Sequence, residues 1–202
     1  MDSIDIKFSS DLRSNQLPVV KKFMEAAKER GGGIISVPCG FGKTVLALYL
    51  VAALKVKTLV IVHKEFLMEQ WKERIEFFLP GAKVGKLQGD IIKIEGCDIV
   101  IGMLQSISMR NYDDNIFDSF GFVIYDECHH LGAEVFSRSL IKVGCRYTLG
   151  LSATPKRTDG LTKVFEWYLG DTVYSIKQRE EEEVKVKLIK YYSDEDEYSE
   201  IK

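Results

Sequence analysis

Residues 36–50 read "SVPCGFGKTVLALYL", and this stretch decides the fold. Apolar residues lead into a loop that contains two glycines, and Gly-Lys-Thr then opens a continuous apolar segment. Glycines let backbone N–H groups converge on phosphate oxygens, and the positive amino-terminal end of the following helix adds to that attraction. We therefore expect a phosphate-binding loop for ATP, formed by Pro38, Cys39, Gly40, Phe41, Gly42, Lys43 and Thr44.

Within this loop the Lys43 ammonium is expected to reach the β- and γ-phosphates, and the Thr44 hydroxyl to ligate Mg²⁺. The usual pattern is G-x-x-x-x-G-K-[ST], and Val37 stands where its first glycine should be. This departure puts the path of the loop in doubt. The alternative is an ordinary glycine-rich turn with a solvent-exposed lysine.

Short apolar runs such as "GIISVP", "TLVIVH", "DIVIGM", "GFVIYDE" and "YTLGLSAT" alternate with helical segments along the chain. Continuous apolar strands separated by helices are typical of a parallel sheet that is covered on both faces. We therefore predict an α/β fold with a mostly parallel central sheet and helices on both faces. Ligands of such sheets bind at the carboxyl ends of the strands.

A carboxylate pair stands at one of those predicted strand ends, in "FVIYDECHH". Asp126 is expected to hold Mg²⁺, and Glu127 to polarise the water that attacks the γ-phosphate. Asp126 and Thr44 are thus the expected metal ligands. Two adjacent acids at a strand end are also common turn residues, so this assignment depends on the phosphate-binding loop.

Composition limits the cellular setting and the size of the protein. The 202 residues suit one globular domain with an extension, and neither an apolar run of about 18 residues nor a signal peptide is apparent. The four cysteines form no C-x-x-C pair, so neither a disulfide framework nor a zinc site is expected. We expect a soluble, monomeric, intracellular protein of the cytoplasm, nucleus or nucleoid, without a membrane partner.

Three motifs in order carry a family resemblance. "GFGKT", "DECH" and "SAT" resemble motifs I, II and III of the superfamily-two helicases and translocases, and the likeness covers about residues 10–176. "LSATPKRTDGL" is similar to a segment of the XPB-like branch and of related viral and phage helicases, so a viral or phage origin is compatible with it. The resemblance implies a RecA-like P-loop NTPase domain, and an ATP hydrolase that moves on nucleic acid, with DNA favoured over RNA.

The resemblance also implies further site residues. "LRSNQ" resembles the adenine-sensing motif, which implies contacts of Gln16 and Arg13 with the base. "TLVIVHKEFLMEQW" and "GMLQS" resemble nucleic-acid-contacting motifs, which implies that role for His63, Lys64, Gln105 and Ser106. Motif II implies that His129 couples hydrolysis to nucleic-acid binding through Ser152 and Thr154 of motif III. The alternative for His129 is a strand cap, and for Trp71, Phe77 and Phe78 we prefer core packing to base stacking.

A complete motor of this family needs a second RecA-like lobe, which carries arginines that stabilise the transition state. We expect residues 1–176 to form the ATP-binding first lobe. Residues 177–202, where acidic side chains outnumber basic ones, form an acidic extension or the start of a linker to that second lobe. Hydrolysis by the isolated lobe should be weak.

Two other functions compete with this one. The chain could be a single-lobe module that binds nucleotide or nucleic acid without hydrolysis, an idea that the absence of a second lobe favours. A small-molecule P-loop kinase would explain the loop, but it would leave "DECH" and "SAT" unexplained.

Overall fold

The computed structural model describes residues 2–127, 133–153 and 162–176. Within them eight strands form one sheet in the order β4-β3-β5-β2-β6-β7-β1-β8. The strands are β1 (Gly32–Ser36), β2 (Thr58–Val62), β3 (Val84–Gln88), β4 (Ile91–Lys93), β5 (Ile99–Met103), β6 (Phe122–Tyr125), β7 (Tyr147–Ser152) and β8 (Thr172–Ser175). All neighbouring pairs are parallel except the β3–β4 hairpin at one edge.

The described ranges also contain six α-helices and a 3₁₀ turn. The helices are α1 (Leu17–Arg30), α2 (Lys43–Leu54), α3 (Glu65–Phe78), α4 (Leu104–Met109), α5 (Ala133–Lys142) and α6 (Thr162–Leu169), and the 3₁₀ turn is Asp114–Phe117. No helix in the described part of the chain is both long and apolar enough to cross a membrane.

Two hydrophobic cores lie on opposite faces of the sheet, and strand β2 shows why. Val60 and Val62 belong to one core, whereas Leu59 and Ile61 belong to the other, because successive strand side chains point to opposite faces. The first core includes buried residues of α1, α2 and α3, and the second includes residues of α4, α5 and α6. The predicted mostly parallel sheet with helices on both faces is confirmed.

Several elements were not predicted from the sequence: β3, β4, α4 and β8. The sequence pattern of "VKVKLIKYY" also indicates a strand, and this stretch lies outside the described residues. The core-packing prediction is right for Trp71 and Phe78, which are 2% and 9% exposed, but wrong for Phe77, which is 70% exposed. Phe77 lies on the outer side of α3, and its ring stands edge-on to that of Phe78 with centroids 4.8 Å apart.

Candidate functional site

The predicted phosphate-binding loop connects the buried strand β1 to the helix α2. Val37, the residue that replaces the usual glycine, is fully buried, and its N–H donates to the carbonyl oxygen of Ser152 at 3.0 Å. This position therefore extends the strand and fills the core. A valine fits there because the turn begins only at Pro38.

Two glycines take backbone conformations in this loop that other residues rarely adopt. Gly40 has a φ of 78° and Gly42 a φ of 96°. A Cβ on Gly40 would meet no atom within 4 Å, whereas a Cβ on Gly42 would lie 2.6 Å from the side-chain nitrogen of Gln16. Gly42 is thus required by its conformation and by its neighbour, and the Gly40 side of the loop is open.

Helix α2 begins at Lys43 with no side-chain hydrogen bond capping its first turn and no acidic residue in that turn. The first backbone N–H groups of a helix have no partner within the helix, and they carry part of the positive end of the helix dipole. An anion placed over this turn would satisfy them. The open loop at Gly40 and the uncapped turn therefore fit the phosphates of ATP.

Gln16 holds the loop from the side of α1. Its side-chain nitrogen donates to the Phe41 carbonyl oxygen at 2.9 Å, and its side-chain oxygen accepts from the Arg13 backbone N–H at 2.9 Å. Gln16 is only 2% exposed, whereas the Arg13 side chain is exposed. The structure thus places Gln16 against the predicted ATP loop, and adenine contacts by Gln16 and Arg13 stay predictions.

An ion pair joins the loop to the second predicted motif. The Lys43 ammonium lies 2.9 Å from a carboxylate oxygen of Glu127, and the two side chains are 10% and 23% exposed. Glu127 also has a positive φ of 52°. A residue other than glycine in this left-handed region costs roughly 1–2 kcal/mol, and such strain is concentrated at active sites.

Asp126 follows strand β6 and is buried, with an exposure of 8%. Its backbone N–H donates to the Ile61 carbonyl oxygen at 3.0 Å, and its carboxylate accepts from the Trp71 indole N–H at 2.7 Å. Burial raises the pKa of the Asp126 carboxyl. The Trp71 hydrogen bond opposes that rise, the Glu127 charge adds to it, and the Lys43 charge opposes it.

Thr44 and Asp126 line the same cavity, which has a volume of about 320 Å³. The other lining residues are Gln70, Trp71, Glu73 and Arg74. A hydroxyl and a carboxylate are oxygen ligands of the kind that Mg²⁺ prefers, and this ion usually keeps several waters. The residues present therefore fit a hydrated magnesium ion.

The four residues predicted to contact nucleic acid lie together at the carboxyl ends of β2 and β5, which are neighbours in the sheet. The Gln105 side chain donates to the His63 carbonyl oxygen at 3.1 Å, and the Ser106 hydroxyl accepts from the Gly89 N–H at 2.9 Å. Lys64 and Gln105 are exposed. The Lys64 and Gln105 side chains are therefore available at the surface, at the same end of the sheet as the predicted ATP loop.

Of the residues predicted to couple the two sites, Ser152 ends strand β7 and is 3% exposed. Its Cα pairs with that of Ser36, the last residue of β1. His129 and Thr154 lie outside the described residues. Their predicted roles remain predictions.

Sequence reasoning missed the contact between Trp71 and Asp126. Trp71 was predicted only as a core residue because it follows the apolar spacing of α3. A buried indole N–H usually finds an acceptor, so a tryptophan on the inner face of a helix was a signal for a polar partner. The helical spacing could not show which acceptor that is.

A model of the family described as "type III restriction enzyme, res subunit" matches residues 9–157. The chain belongs to this family. A protein of Acanthamoeba polyphaga mimivirus, provisionally described as an ATP-dependent RNA helicase, is 40% identical over 94% of this chain and 36% of its own length. The DNA 3'-5' translocase XPB2 of Sulfurisphaera tokodaii is 34% identical over 84% of this chain and 36% of its own length.

The fold of this family member is also similar to that of a solved structure. The UvsW helicase of bacteriophage T4 superposes with a TM-score of 0.69 and 17% identity, over 86% of this chain and 64% of that one. The predicted resemblance to helicases and translocases is confirmed by these relatives. The chain spans about a third of the length of the two relatives above.

Proposed function

We propose that this chain is the ATP-binding lobe of a nucleic-acid-dependent ATPase, and that the whole protein couples ATP hydrolysis to movement on nucleic acid. The observation that carries the proposal is the ion pair between Lys43 and Glu127. It brings the predicted phosphate-binding cation and the predicted catalytic base into contact, from positions 84 residues apart.

In this proposal each of the two side chains exchanges its partner when ATP binds. Lys43 leaves the carboxylate and binds the β- and γ-phosphate oxygens, while the N–H groups of the loop and of α2 bind the remaining oxygens. Glu127, released from Lys43, then accepts a proton from the attacking water. Magnesium, held by Thr44 and by Asp126, would neutralise charge on the phosphates.

DNA is the nucleic acid that we propose, because "SATPKRTDG" is similar to the XPB-like branch and because one relative is named a DNA translocase. Another relative is named an RNA helicase, so the choice is open to test. The contacts would come from Lys64 and Gln105 at the surface and from His63 and Ser106 behind them. A second lobe in the whole protein would supply the catalytic arginines.

The test is ATP hydrolysis by the chain with no polymer, with single- or double-stranded DNA, and with single- or double-stranded RNA. Glu127→Gln is the matched blank, because it keeps the size of the side chain and removes the base. We expect turnover to fall by ~10²–10⁴-fold in that variant, with ATP binding retained. Stimulation of the unmodified chain by DNA above that blank would support the proposal.

Two other results would change the account. Turnover that is the same in the unmodified chain and in Glu127→Gln would contradict the role of Glu127 as base. Magnesium-dependent ATP binding without any turnover, under all polymer conditions, would mean that the catalytic arginines lie on a second lobe and that this chain by itself only binds the nucleotide.

A further inference from the structure

Trp71 lies in helix α3 and reaches across to the end of strand β6. Its indole N–H donates to the Asp126 carboxylate oxygen Oδ2 at 2.7 Å. Both residues are buried, with exposures of 2% and 8%. Hydrogen bonds to an ionised acceptor are shorter and roughly twice as strong as neutral ones, and the length of this bond is in the charge-assisted range.

The surroundings of this bond show that it does more than satisfy a buried indole. Trp71, Asp126 and Thr44 all line the cavity of about 320 Å³ that fits a hydrated magnesium ion. A carboxylate on its own rotates about its last side-chain bond, which has a broad torsional preference. A donor fixed at Oδ2 by the packing of α3 restricts that rotation. The Glu127 backbone N–H also bonds to this carboxylate, and the remaining lone pairs of the two oxygens would face the ion and its waters.

We propose that Trp71 is a positioning residue for magnesium at the ATP site: its N–H holds one oxygen of Asp126, so that the other faces the hydrated ion. The inference rests on the proposed function, since it concerns the same site. It assigns α3 a part in metal binding that none of the three motifs includes. Hydrogen-bond partners of metal ligands commonly contribute 10–100-fold to metal affinity.

The first test compares Trp71→Phe with Ile75→Val. The phenylalanine keeps most of the aromatic bulk and removes the donor, whereas Ile75→Val removes one buried methyl group from the same helix. We expect the Mg²⁺ concentration for half-maximal ATP hydrolysis to rise by roughly 10-fold in Trp71→Phe. The control should change it much less, and ATP binding in EDTA should match the unmodified chain in both variants.

The second test does not depend on activity or on the folding of Trp71→Phe. The chain contains two tryptophans, so Trp167→Phe leaves Trp71 as the single emitter, and Trp167 is 78% exposed. The variant is first saturated with ATP in EDTA, and MgCl₂ is then added in excess. We expect the Trp71 emission to change at this step, and to stay unchanged when the variant also carries Thr44→Ala.

The proposal is overturned if Trp71→Phe needs no more Mg²⁺ than Ile75→Val, or if Trp71 emission does not respond to Mg²⁺ in the ATP-bound chain. In either case Mg²⁺-dependent ATP binding by the unmodified chain would leave the proposed function standing. If the unmodified chain binds no ATP, the proposed function fails and the role of Trp71 fails with it.

Discussion

The side chains of Lys43 and Glu127 are mostly buried and have opposite charges, so each makes the burial of the other tolerable. Breaking such a pair by removing one partner leaves an uncompensated charge behind. A triphosphate offers Lys43 an alternative partner of higher negative charge. The strained backbone of Glu127 fits the same account, because φ of 52° is kept only where the surroundings impose it.

Cys39 gives a chemical probe of the loop. It is exposed, whereas burial raises the pKa of the Cys145 thiol to about 12, so that only about one Cys145 thiol in ten thousand is ionised at pH 8. Because the thiolate is the reactive form, we expect iodoacetamide to alkylate Cys39 at pH 8 and Cys145 only as the pH approaches 12. Peptide mass spectrometry measures both sites.

Magnesium and ATP should slow the alkylation of Cys39, because the phosphates would cover the loop. Lys43→Ala is the control, and in that variant ATP should give no protection. Equal alkylation of Cys39 with and without saturating ATP would place the nucleotide elsewhere.

The loop from Pro38 to Gly42 shows how two elements set the requirements on single positions. Strand β1 continues through Val37, which explains why a glycine is unnecessary there. At the other end Gly42 immediately precedes α2 and lies against the Gln16 amide, which is itself bonded to Phe41. The departure from the usual motif is therefore harmless to the loop, and the retained glycine is essential to it.

Gly42→Ala and Gly40→Ala form a matched pair. Both place a Cβ on a residue with positive φ, which costs roughly 1–2 kcal/mol. Only Gly42→Ala also displaces Gln16 and its bond to Phe41, which adds roughly 1 kcal/mol or more. Urea unfolding should therefore show a larger loss of stability for Gly42→Ala, and an equal loss in both variants would contradict the placement of Gln16.

The local pattern of apolar residues was sufficient to predict the strands and helices that are long or fully buried. Strands β1, β2, β5 and β6 are buried at every position, and their apolar runs predicted them. Strand β3 was not predicted, because buried and half-buried residues alternate along it and its five residues include Gly85 and Lys86. Strand β4 consists of three exposed residues at the sheet edge, and α4 is only six residues long, so neither shows a clear hydrophobic period.

The order of the strands decides which predicted residues can meet, and sequence patterns do not contain that order. Strand β6 lies between β2 and β7, so Asp126 bonds to the backbone of β2 and its carboxylate lies within reach of α3. Motif spacing predicted the acids and the lysine. It could not predict the contact of Trp71 with Asp126, because Trp71 lies in α3, which follows β2, whereas Asp126 follows β6.

On the scale of the whole molecule, the predicted ATP site and the predicted nucleic-acid site both lie at the carboxyl ends of the parallel strands. The ATP loop follows β1, the acids follow β6, and the residues predicted to contact nucleic acid follow β2 and β5. The strand order places β2 directly beside both β5 and β6. A movement of β2 or α3 would therefore reach both the predicted metal ligand and the predicted nucleic-acid contacts.

Isothermal titration calorimetry tests the central claim most directly. It measures ATP binding by the unmodified chain and by Lys43→Ala, each with and without Mg²⁺. Circular dichroism of the variant serves as the folding control. The account predicts ATP binding that Mg²⁺ strengthens and that Lys43→Ala weakens by at least ~10-fold, because a charge-assisted contact to phosphate contributes roughly 1.5–3 kcal/mol. Equal affinity in a folded Lys43→Ala, or no binding by the unmodified chain, would contradict it.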